Sequence, residues 1–311
     1  MELFPEYRHC NLCPRQCGAD RKGGHQGTCG RTDRLFISSI GPHFGEEPPI
    51  SGSRGSGTVF FTGCSTGCFF CQNYQISQQG LGREYSLDEF VESVKGLVRS
   101  GVHNVNYVTP DHFWPHVRAV IRKLKEENII IPHLINSSGY EQPATVAEMA
   151  GLVDIFLPDY KFADNSLAEY CMGKGDYREV ALKAIELMIE GKGFLNSSPG
   201  DEAAKPATKG VLVRHLVLPG HVDNSIRALR DLRERFGRYL PISLMSQYQP
   251  TVLCRGKGDF ERIITAAEYK SVFRVAQELG FENIFFQTDA GDNDFLPDFE
   301  KDNPFKGNRR K

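Results

Sequence analysis

Three cysteines between residues 63 and 71 carry the strongest chemical signal in this sequence. Cys64, Cys68 and Cys71 form a C-x3-C-x2-C run directly after an apolar stretch at 58–61. Iron–sulfur clusters are usually held by four cysteine thiolates, so three thiolates in one loop leave one iron free to bind another ligand. An open coordination position distinguishes a reactive metal centre from a structural one. The run therefore predicts a cluster whose fourth iron takes part in the chemistry.

Two other interpretations of these cysteines stay open at this point. Buried cysteine is common as a small apolar residue, but three at this spacing make that interpretation weak. A zinc site would need a fourth ligand. His43 or His112 is available for that position, although no pattern singles out either one.

A second group of cysteines lies nearer the amino terminus. Cys10, Cys13, Cys17 and Cys29 make up a complete ligand set for zinc or for a [4Fe–4S] cluster. The surrounding segment is short and charged, so it needs a cross-link such as a bound metal to fold. Seven of the nine cysteines precede position 72, and such clustering in a reducing compartment favours metal ligands over disulfides. We expect a metal here, zinc slightly ahead of an auxiliary cluster, with unligated thiols as the alternative.

Composition restricts the class of partner. The 311 residues include 37 basic and 39 acidic side chains, a net charge of −2, which argues against nucleic acid or an anionic membrane as a partner. The first residues lack the basic region and apolar run of a signal peptide. No stretch approaches the roughly 20 apolar residues that span a bilayer. We expect a soluble cytoplasmic protein.

The elements that must position the cysteine loop alternate between short apolar runs and longer amphipathic ones. The runs predict strands at 57–62, 104–109, 129–136, 153–159, 211–218, 242–246 and 283–287. The amphipathic stretches predict helices at 87–98, 114–127, 145–151, 177–191, 223–236 and 266–280, the first with a capping box from Ser86 to Glu89. This repetition indicates βαβ units and a parallel sheet, either a full or partial α/β barrel or a doubly wound sheet. In both, ligands bind at the carboxyl ends of the strands, where the cysteine loop falls.

Three regions follow from these patterns. We predict a cysteine-rich metal-binding segment at 1–56, the strand–helix domain at 57–288 and a partly ordered tail at 289–311. A polar connection at 196–209 is long enough to be a lid or a disordered loop.

The cysteine loop resembles that of the radical SAM superfamily, whose C-x3-C-x-aromatic-C motif it matches with Phe70 in the aromatic place. The resemblance implies a partial (β/α)6 TIM-type barrel, a [4Fe–4S] cluster and S-adenosylmethionine (SAM). In that superfamily the cluster reduces SAM, which splits into methionine and a 5′-deoxyadenosyl radical that abstracts a substrate hydrogen. It also implies an electron donor such as flavodoxin or ferredoxin.

Further segments are similar to pyruvate formate-lyase activating enzymes, and most closely to activating-enzyme-like proteins of unassigned substrate. They are Cys71-Gln72-Asn73, 136–139, 157–161, 213–220 and, together with the amino-terminal cysteines, 45–52. The resemblance implies that Asp159 and Lys161 face the SAM ribose and carboxylate and that Arg214 contacts SAM or substrate. It also implies cofactor contacts for Phe70, Asn73, Thr109 and Asn136, and a protein or peptide substrate, a glycyl radical enzyme being one form.

Two segments depart from the activating-enzyme pattern. Thr109-Pro110-Asp111 stands where many members of the superfamily carry Gly-Gly-Glu, so Thr109 or a backbone carbonyl would replace the usual contact to the SAM amino group. Ser246-Gln247-Tyr248 stands where activating enzymes place a histidine. These departures weigh against a glycyl-radical partner and less against SAM binding.

The rival hypotheses are an iron–sulfur electron-transfer protein without SAM chemistry and a zinc-binding module. Cys171 and Cys254 are expected to be buried small residues rather than radical relays. Glu46 and Glu47 are either a solvated acidic pair or part of a substrate site.

Overall fold

The computed structural model describes residues 3–199, 205–287, 296–301 and 303–305. Its strands are β1 (Leu35–His43), β2 (Ser56–Phe61), β3 (Arg83–Tyr85), β4 (Val105–Val108), β5 (His133–Ser137), β6 (Ile155–Pro158), β7 (Gly210–Val211), β8 (Val213–Leu216), β9 (Ile242–Met245) and β10 (Ile284–Phe286). Its α-helices are α1 (Pro48–Ser51), α2 (Tyr74–Ser77), α3 (Leu87–Arg99), α4 (Trp114–Glu126), α5 (Pro143–Ala150), α6 (Asn165–Met172), α7 (Tyr177–Lys192), α8 (Val222–Phe236) and α9 (Ala266–Glu278).

The parallel strands follow one another in chain order. One sheet has the order β3-β1-β2-β4-β5-β6-β7 and a second the order β10-β9-β8, and every pair from β2 through β7 and from β8 through β10 is parallel. A parallel bridge between Asp159 and Arg214 continues β6 onto β8. Six strand–helix units, closed by β10, therefore make the predicted partial barrel, and all seven predicted strands are confirmed.

Each helix forms where the sequence offers an amphipathic face and a defined start. α3 begins at Ser86, whose side chain accepts from the backbone of Glu89 while the Glu89 carboxylate accepts from the backbone of Ser86, the predicted capping box. Its buried face carries Phe90, Val91, Val94 and Leu97 at helical spacing. The four-residue helices α1 and α2 lie outside the predicted helices because about one turn is too short to show a helical period. The eight-residue α6 was also not predicted.

The interior of the barrel is filled by its own apolar cluster. Leu134, Ile155, Leu157, Leu212 and Phe285 from the strands pack with Ile50 of α1. The loop before β7 is tied to α1, since the Ala207 amide donates to the Pro49 carbonyl at 2.7 Å. α1 therefore packs with the interior cluster.

β1 and β3 add an antiparallel edge that the sequence patterns did not predict. β1 pairs with β2 along most of its length, from Ile37 opposite Phe61 to His43 opposite Ser56, with a bulge between Ile37 and Ser39. The bulge breaks the alternation that would have marked a strand. β1 belongs to the segment 1–56, so backbone hydrogen bonds join that segment to the barrel sheet. Of the helices in the described ranges, none combines the length and apolar character needed to cross a bilayer.

Candidate active site

The cysteine loop leaves β2 at the carboxyl edge of the sheet and ends at α2. Cys64, Cys68 and Cys71 all line one cavity at that edge. Gly67 lies in the left-handed region at φ +61°, with no atom within 4 Å of where a Cβ would stand. Because glycine adopts this conformation without strain, the chain can turn sharply between Cys64 and Cys68. The loop thus presents three sulfurs from eight residues to one space.

Cys68 is buried, Cys64 and Cys71 are half-buried, and two of the three thiols have hydroxyl partners. Burial raises the pKa of Cys68 to about 12 and that of Cys71 to about 11. The Thr66 hydroxyl lies 3.0 Å from Cys64 Sγ, and the Ser77 hydroxyl donates to Cys71 Sγ at 3.4 Å. A metal that binds here must displace thiol protons, and the two hydroxyls then stabilise the thiolate charge.

Zinc and an iron–sulfur cluster place different demands on the three sulfur donors. A zinc ion needs its ligands to converge on one point, whereas a [4Fe–4S] cluster binds each thiolate on a different iron. Within the described ranges, no three or more His, Cys, Asp or Glu side chains are grouped to hold a single ion. The chemistry of three soft sulfur donors on one cavity wall fits an iron–sulfur cluster with an open position.

The residues predicted to contact a cofactor come together around the same cavity. Phe70 and Asn73 follow the cysteines, Thr109 and Asn136 end neighbouring strands, and Asp159, Lys161 and Arg214 complete the wall. Parallel strands bring their carboxyl ends to one edge, which explains why Thr109 and Arg214, 105 positions apart, line the same cavity. Their individual contacts to a ligand remain predictions.

Asp159 and Lys161 form an ion pair on this wall, with side chains 22% and 17% exposed. Their backbone is held by Tyr177, whose hydroxyl lies 2.9 Å from both the Ser138 and Asp159 carbonyls and accepts from the Lys161 amide at 3.0 Å. A buried phenol thus fixes the two segments that present the pair. The carboxylate and the ammonium face the cavity as a preorganised dipole.

Thr109 ends β4 in a strained conformation. Its φ of +47° is in the left-handed region, which is a genuine outlier for a β-branched residue. Its amide donates to the Asn136 carbonyl at 2.8 Å, which holds the turn in place. Such strain is concentrated at functional sites, and this turn lies on the cavity wall.

Arg214 reaches across the barrel to two glutamates. Its Nε donates to Glu47 Oε1 at 3.0 Å and its Nη2 contacts Glu46 Oε2 at 2.5 Å and the second oxygen of Glu47. Asn106 of β4 donates to the other Glu46 oxygen at 2.8 Å. All three charged side chains are less than 10% exposed, so the glutamates are not a solvated pair. Arg214 lines the cavity where a contact to SAM or substrate was predicted, but its guanidinium is already paired with the two glutamates in this buried triad.

Phe305 is a wall residue that had no signal in the sequence. Phe305, in the predicted tail, packs on His43 at 4.3 Å and on Phe60 at 5.2 Å between ring centroids, and it borders the cavity. The Gln72 side chain donates to the Gln247 carbonyl at 2.9 Å. Aromatic residues in a tail do not indicate by themselves that the tail packs on the domain, so the position of Phe305 became evident only from the fold. The rest of the tail, at 289–295, 302 and 306–311, lies outside the described residues, as does 200–204 of the predicted lid.

A second cavity adjoins the first. Glu46, Arg214, Met245 and Gln247 border both, and the second extends between α1 and β10 toward Phe286. A molecule in the second space would therefore lie next to a ligand in the first.

The remaining cysteines fall into two groups. Cys10, Cys13 and Cys29 are buried and Cys17 is exposed, in a compact turn that packs against the cysteine loop. Cys171 and Cys254 are buried, as predicted. The Tyr248 hydroxyl lies 3.4 Å from Cys254 Sγ, which gives that thiol a local partner.

A substitution at Gly139 tests whether the backbone after β5 packs closely against the backbone at Asp159, which carries one member of the ion pair. A Cβ at Gly139 would lie 1.9 Å from the Asp159 carbonyl oxygen, at φ +80°. We expect Gly139→Ala to lower the free energy of unfolding by about 3 kcal/mol or more, because the Asp159 backbone must move. Gly101→Ala is the matched control, since Gly101 has φ +82° but open space around its Cβ position. It should cost about 1 kcal/mol. Equal losses in denaturant unfolding would contradict the proposed close packing.

The buried triad predicts a specific acid sensitivity. Burial alone would raise the pKa of Glu46, but Arg214, His43 and hydrogen bonds outweigh it and hold the pKa below its usual value of 4.5. A lowered folded pKa gives stability that is present above the unfolded value and is lost as pH falls through the folded one. The free energy of unfolding should therefore fall below about pH 4.5 more steeply in the wild type than in Glu46→Gln.

The matched control for this experiment is Glu84→Gln, which removes an exposed ion pair with Arg34. An exposed pair contributes little, so its acid limb should follow the wild type. An unchanged slope in Glu46→Gln would show that the triad does not govern acid stability.

Comparison with known proteins gives the following matches. A family model described as the radical SAM superfamily matches residues 58–233. An uncharacterized protein of Methanocaldococcus jannaschii is 27% identical over 286 residues, which cover 90% of this chain and 77% of that protein.

Among solved structures, HydG, a maturase of the [FeFe]-hydrogenase, is similar with a TM-score of 0.49 and 14% identity over 73% of this chain; the match spans 50% of HydG. Methylornithine synthase (PylB) is similar with a TM-score of 0.48 and 14% identity, over 80% of this chain and 74% of that one.

Proposed function

This chain belongs to the radical SAM superfamily, and from that membership we propose that it abstracts a hydrogen atom from an organic substrate at the cavity described above. When bound, a [4Fe–4S] cluster and SAM supply the chemistry, which is reductive cleavage of SAM to methionine and a 5′-deoxyadenosyl radical. One observation carries the proposal: the three thiols of the loop and the charged side chains at the strand ends line the same cavity.

In this proposal Cys64, Cys68 and Cys71 would each hold one iron of the cluster, and the remaining iron would be open to a ligand. The ion pair of Asp159 and Lys161, which lines the same cavity, would bind the polar groups of SAM. Asn136 and Thr109 offer amide and hydroxyl groups, and Asn73 a further amide. Phe70, 4% exposed, packs behind the loop against Phe260, which keeps water from the cluster side.

The second cavity is the proposed location of the substrate. It shares Gly45 and the side chains of Glu46, Arg214, Met245 and Gln247 with the first, so a substrate there would lie beside the cofactor. The buried triad thereby fixes the boundary at which a hydrogen atom would be transferred. Proximity of this kind is the main contribution a protein makes when the cofactor supplies the reactive group.

The finer assignment is activating-enzyme-like chemistry on a protein or peptide substrate, of which a glycyl radical enzyme is one form. It rests on the resemblance at Cys71-Gln72-Asn73 and 45–52, and the departures at 109–111 and 246–248 weigh against it. We further propose a cytoplasmic location and an electron donor such as flavodoxin or ferredoxin. Incubation with a candidate partner and a search for its protein radical by electron paramagnetic resonance (EPR) test the substrate assignment.

The cluster assignment predicts SAM cleavage that depends on three cysteines. Anaerobically reconstituted protein with a strong reductant should form 5′-deoxyadenosine, measured by chromatography. Replacing Cys64, Cys68 or Cys71 by Ala should abolish it, because each variant loses one of the three cluster ligands. Cys254→Ala should keep the activity, because its buried thiol contacts Tyr248 and is not one of the residues that line the cavity. An electron-transfer protein would hold the cluster and cycle it without cleaving SAM, and that result would refute the proposal.

The ion pair predicts a loss of SAM affinity when either member is neutralised. Asp159→Asn and Lys161→Met should each weaken SAM binding about tenfold, the effect of removing one charged hydrogen bond. The double variant should lose less than the product of the two, because the pair also stabilises itself. Binding is measured from the change in the cluster spectrum on titration with SAM. Lys183→Met, which removes a half-exposed lysine paired with Glu186, is the control and should bind normally.

A further inference from the structure

Arg15 connects the amino-terminal cysteine turn to the catalytic loop. It lies between Cys13 and Cys17, and its guanidinium donates to the carbonyls of Ser65 (2.8 Å) and Thr66 (3.0 Å), which lie between Cys64 and Cys68. The same group donates to the carbonyls of Met172 (2.6 Å) and Gly173 (3.3 Å) at the end of α6. One side chain therefore ties the turn to two segments of the barrel.

The end of α6 holds the catalytic loop from its other side. The Phe69 amide donates to the Cys171 carbonyl at 3.1 Å, one residue before the Met172 carbonyl that Arg15 contacts. The loop is thus fixed between α6 and the amino-terminal turn. If the turn were disordered, the carbonyls of Ser65 and Thr66 would lose the hydrogen bonds that the Arg15 guanidinium donates to them.

The turn itself is built around its cysteines. The sulfurs of Cys17 and Cys29 each lie 3.4 Å from where a Cβ on Gly27 would stand, so a larger residue there would crowd both. The Gly18 amide donates to the Cys10 carbonyl at 3.1 Å and the Gln16 amide to the Cys13 carbonyl at 3.0 Å. The segment therefore folds back on itself, and the sulfurs of Cys17 and Cys29 lie close to one point.

A buried arginine faces these sulfurs. Arg21 is 0% exposed, and its Nη1 lies 3.6 Å from Cys10 Sγ and 2.7 Å from the His112 carbonyl. The Thr32 carbonyl accepts from its Nε at 3.2 Å and from its Nη2 at 2.7 Å. A thiolate at Cys10 would accept a charge-assisted hydrogen bond from this guanidinium, and thiolates are the form in which cysteine binds metal.

We propose that Cys10, Cys13, Cys17 and Cys29 bind a second metal centre through four thiolates, and that Arg15 transmits the order of this centre to the catalytic loop. The first part stands on the cysteine turn alone, while the second rests on the proposed cluster at Cys64, Cys68 and Cys71. Thiolates bind both zinc and a [4Fe–4S] cluster, but in the described ranges no three His, Cys, Asp or Glu side chains are grouped to hold a single ion. A cluster, which binds each thiolate on a different iron, therefore fits this turn better than zinc. Arg15 acts through the loop backbone and is a positioning residue.

The first experiment measures metal in a variant that lacks the catalytic ligands. Cys64→Ala/Cys68→Ala/Cys71→Ala protein, purified anaerobically and checked for folding by circular dichroism, should retain metal. Elemental analysis should find about four iron atoms with sulfide if the centre is a cluster, or about one zinc if it is a zinc site. Folded triple variant without iron or zinc would overturn the proposed centre. Retained metal in a protein whose wild type cleaves no SAM would leave the centre standing and reject only the proposed function.

The second experiment separates positioning from folding. Arg15→Met should keep the metal of the second centre, yet SAM should perturb the EPR spectrum of the catalytic cluster less than in the wild type. SAM cleavage should fall roughly tenfold to a hundredfold, as expected for a misplaced reactive group. Arg34→Met is the matched control, because Arg34 pairs with Glu84 at the exposed surface and should behave as wild type. A wild-type EPR response to SAM in Arg15→Met would refute the coupling.

Discussion

The buried ion triad of Arg214, Glu46 and Glu47 is the interaction on which the geometry of the site depends. Arg214 comes from β8, the glutamates from the connection between β1 and α1, and Asn106 of β4 completes the set. A single bridge, between Asp159 and Arg214, joins the two parts of the parallel sheet at this point. Removing one member of a buried ion pair leaves an uncompensated charge, which is strongly destabilising. The triad therefore spans the interior at the level where both cavities meet, and it defines their common wall.

The catalytic loop depends in turn on elements far from it in sequence. Its own hydrogen bonds are few, so the barrel edge, α6 and the amino-terminal turn hold it from three sides. A loop that must bind a metal through three sulfurs gains from such support, because its ligands lose less conformational freedom on binding. This explains why a small cysteine-rich segment is hydrogen-bonded to the barrel sheet through β1 rather than separated by a flexible linker.

The sequence predicted the elements whose signals are local and missed the contacts that are not. Seven parallel strands and the Ser86 capping box follow from short apolar runs and a fixed spacing, and the cavity residues follow because they end those strands. β1 escaped because a bulge and a Gly-Pro pair interrupt its alternation. Arg15, Glu47 and Phe305 meet partners 50 or more residues away, and no local pattern reports such pairings. Glu46 and Glu47 were either a solvated acidic pair or part of a site, and their burial rules out the solvated pair. Burial depends on the fold and could not be predicted from the local sequence.

The charge balance of the cavity matches the ligand proposed for it. Among the described residues, the cavity proposed for SAM is lined by two cationic side chains, Lys161 and Arg214, and two carboxylates, Asp159 and Glu46, while Glu47 lines the adjoining cavity and pairs with Arg214. SAM carries a carboxylate, an ammonium and a sulfonium, so charges of both signs on the wall find partners on the ligand. Because all five side chains are mostly buried, water screens them weakly and their arrangement costs little reorganisation when a ligand arrives. Asp159 and Lys161 already lie as an oriented pair held by Tyr177, so a zwitterionic ligand can exchange contacts with both without leaving either charge unpaired. The same wall would bind a simple anion or a simple cation less well, since each would satisfy one member of the pair and strand the other.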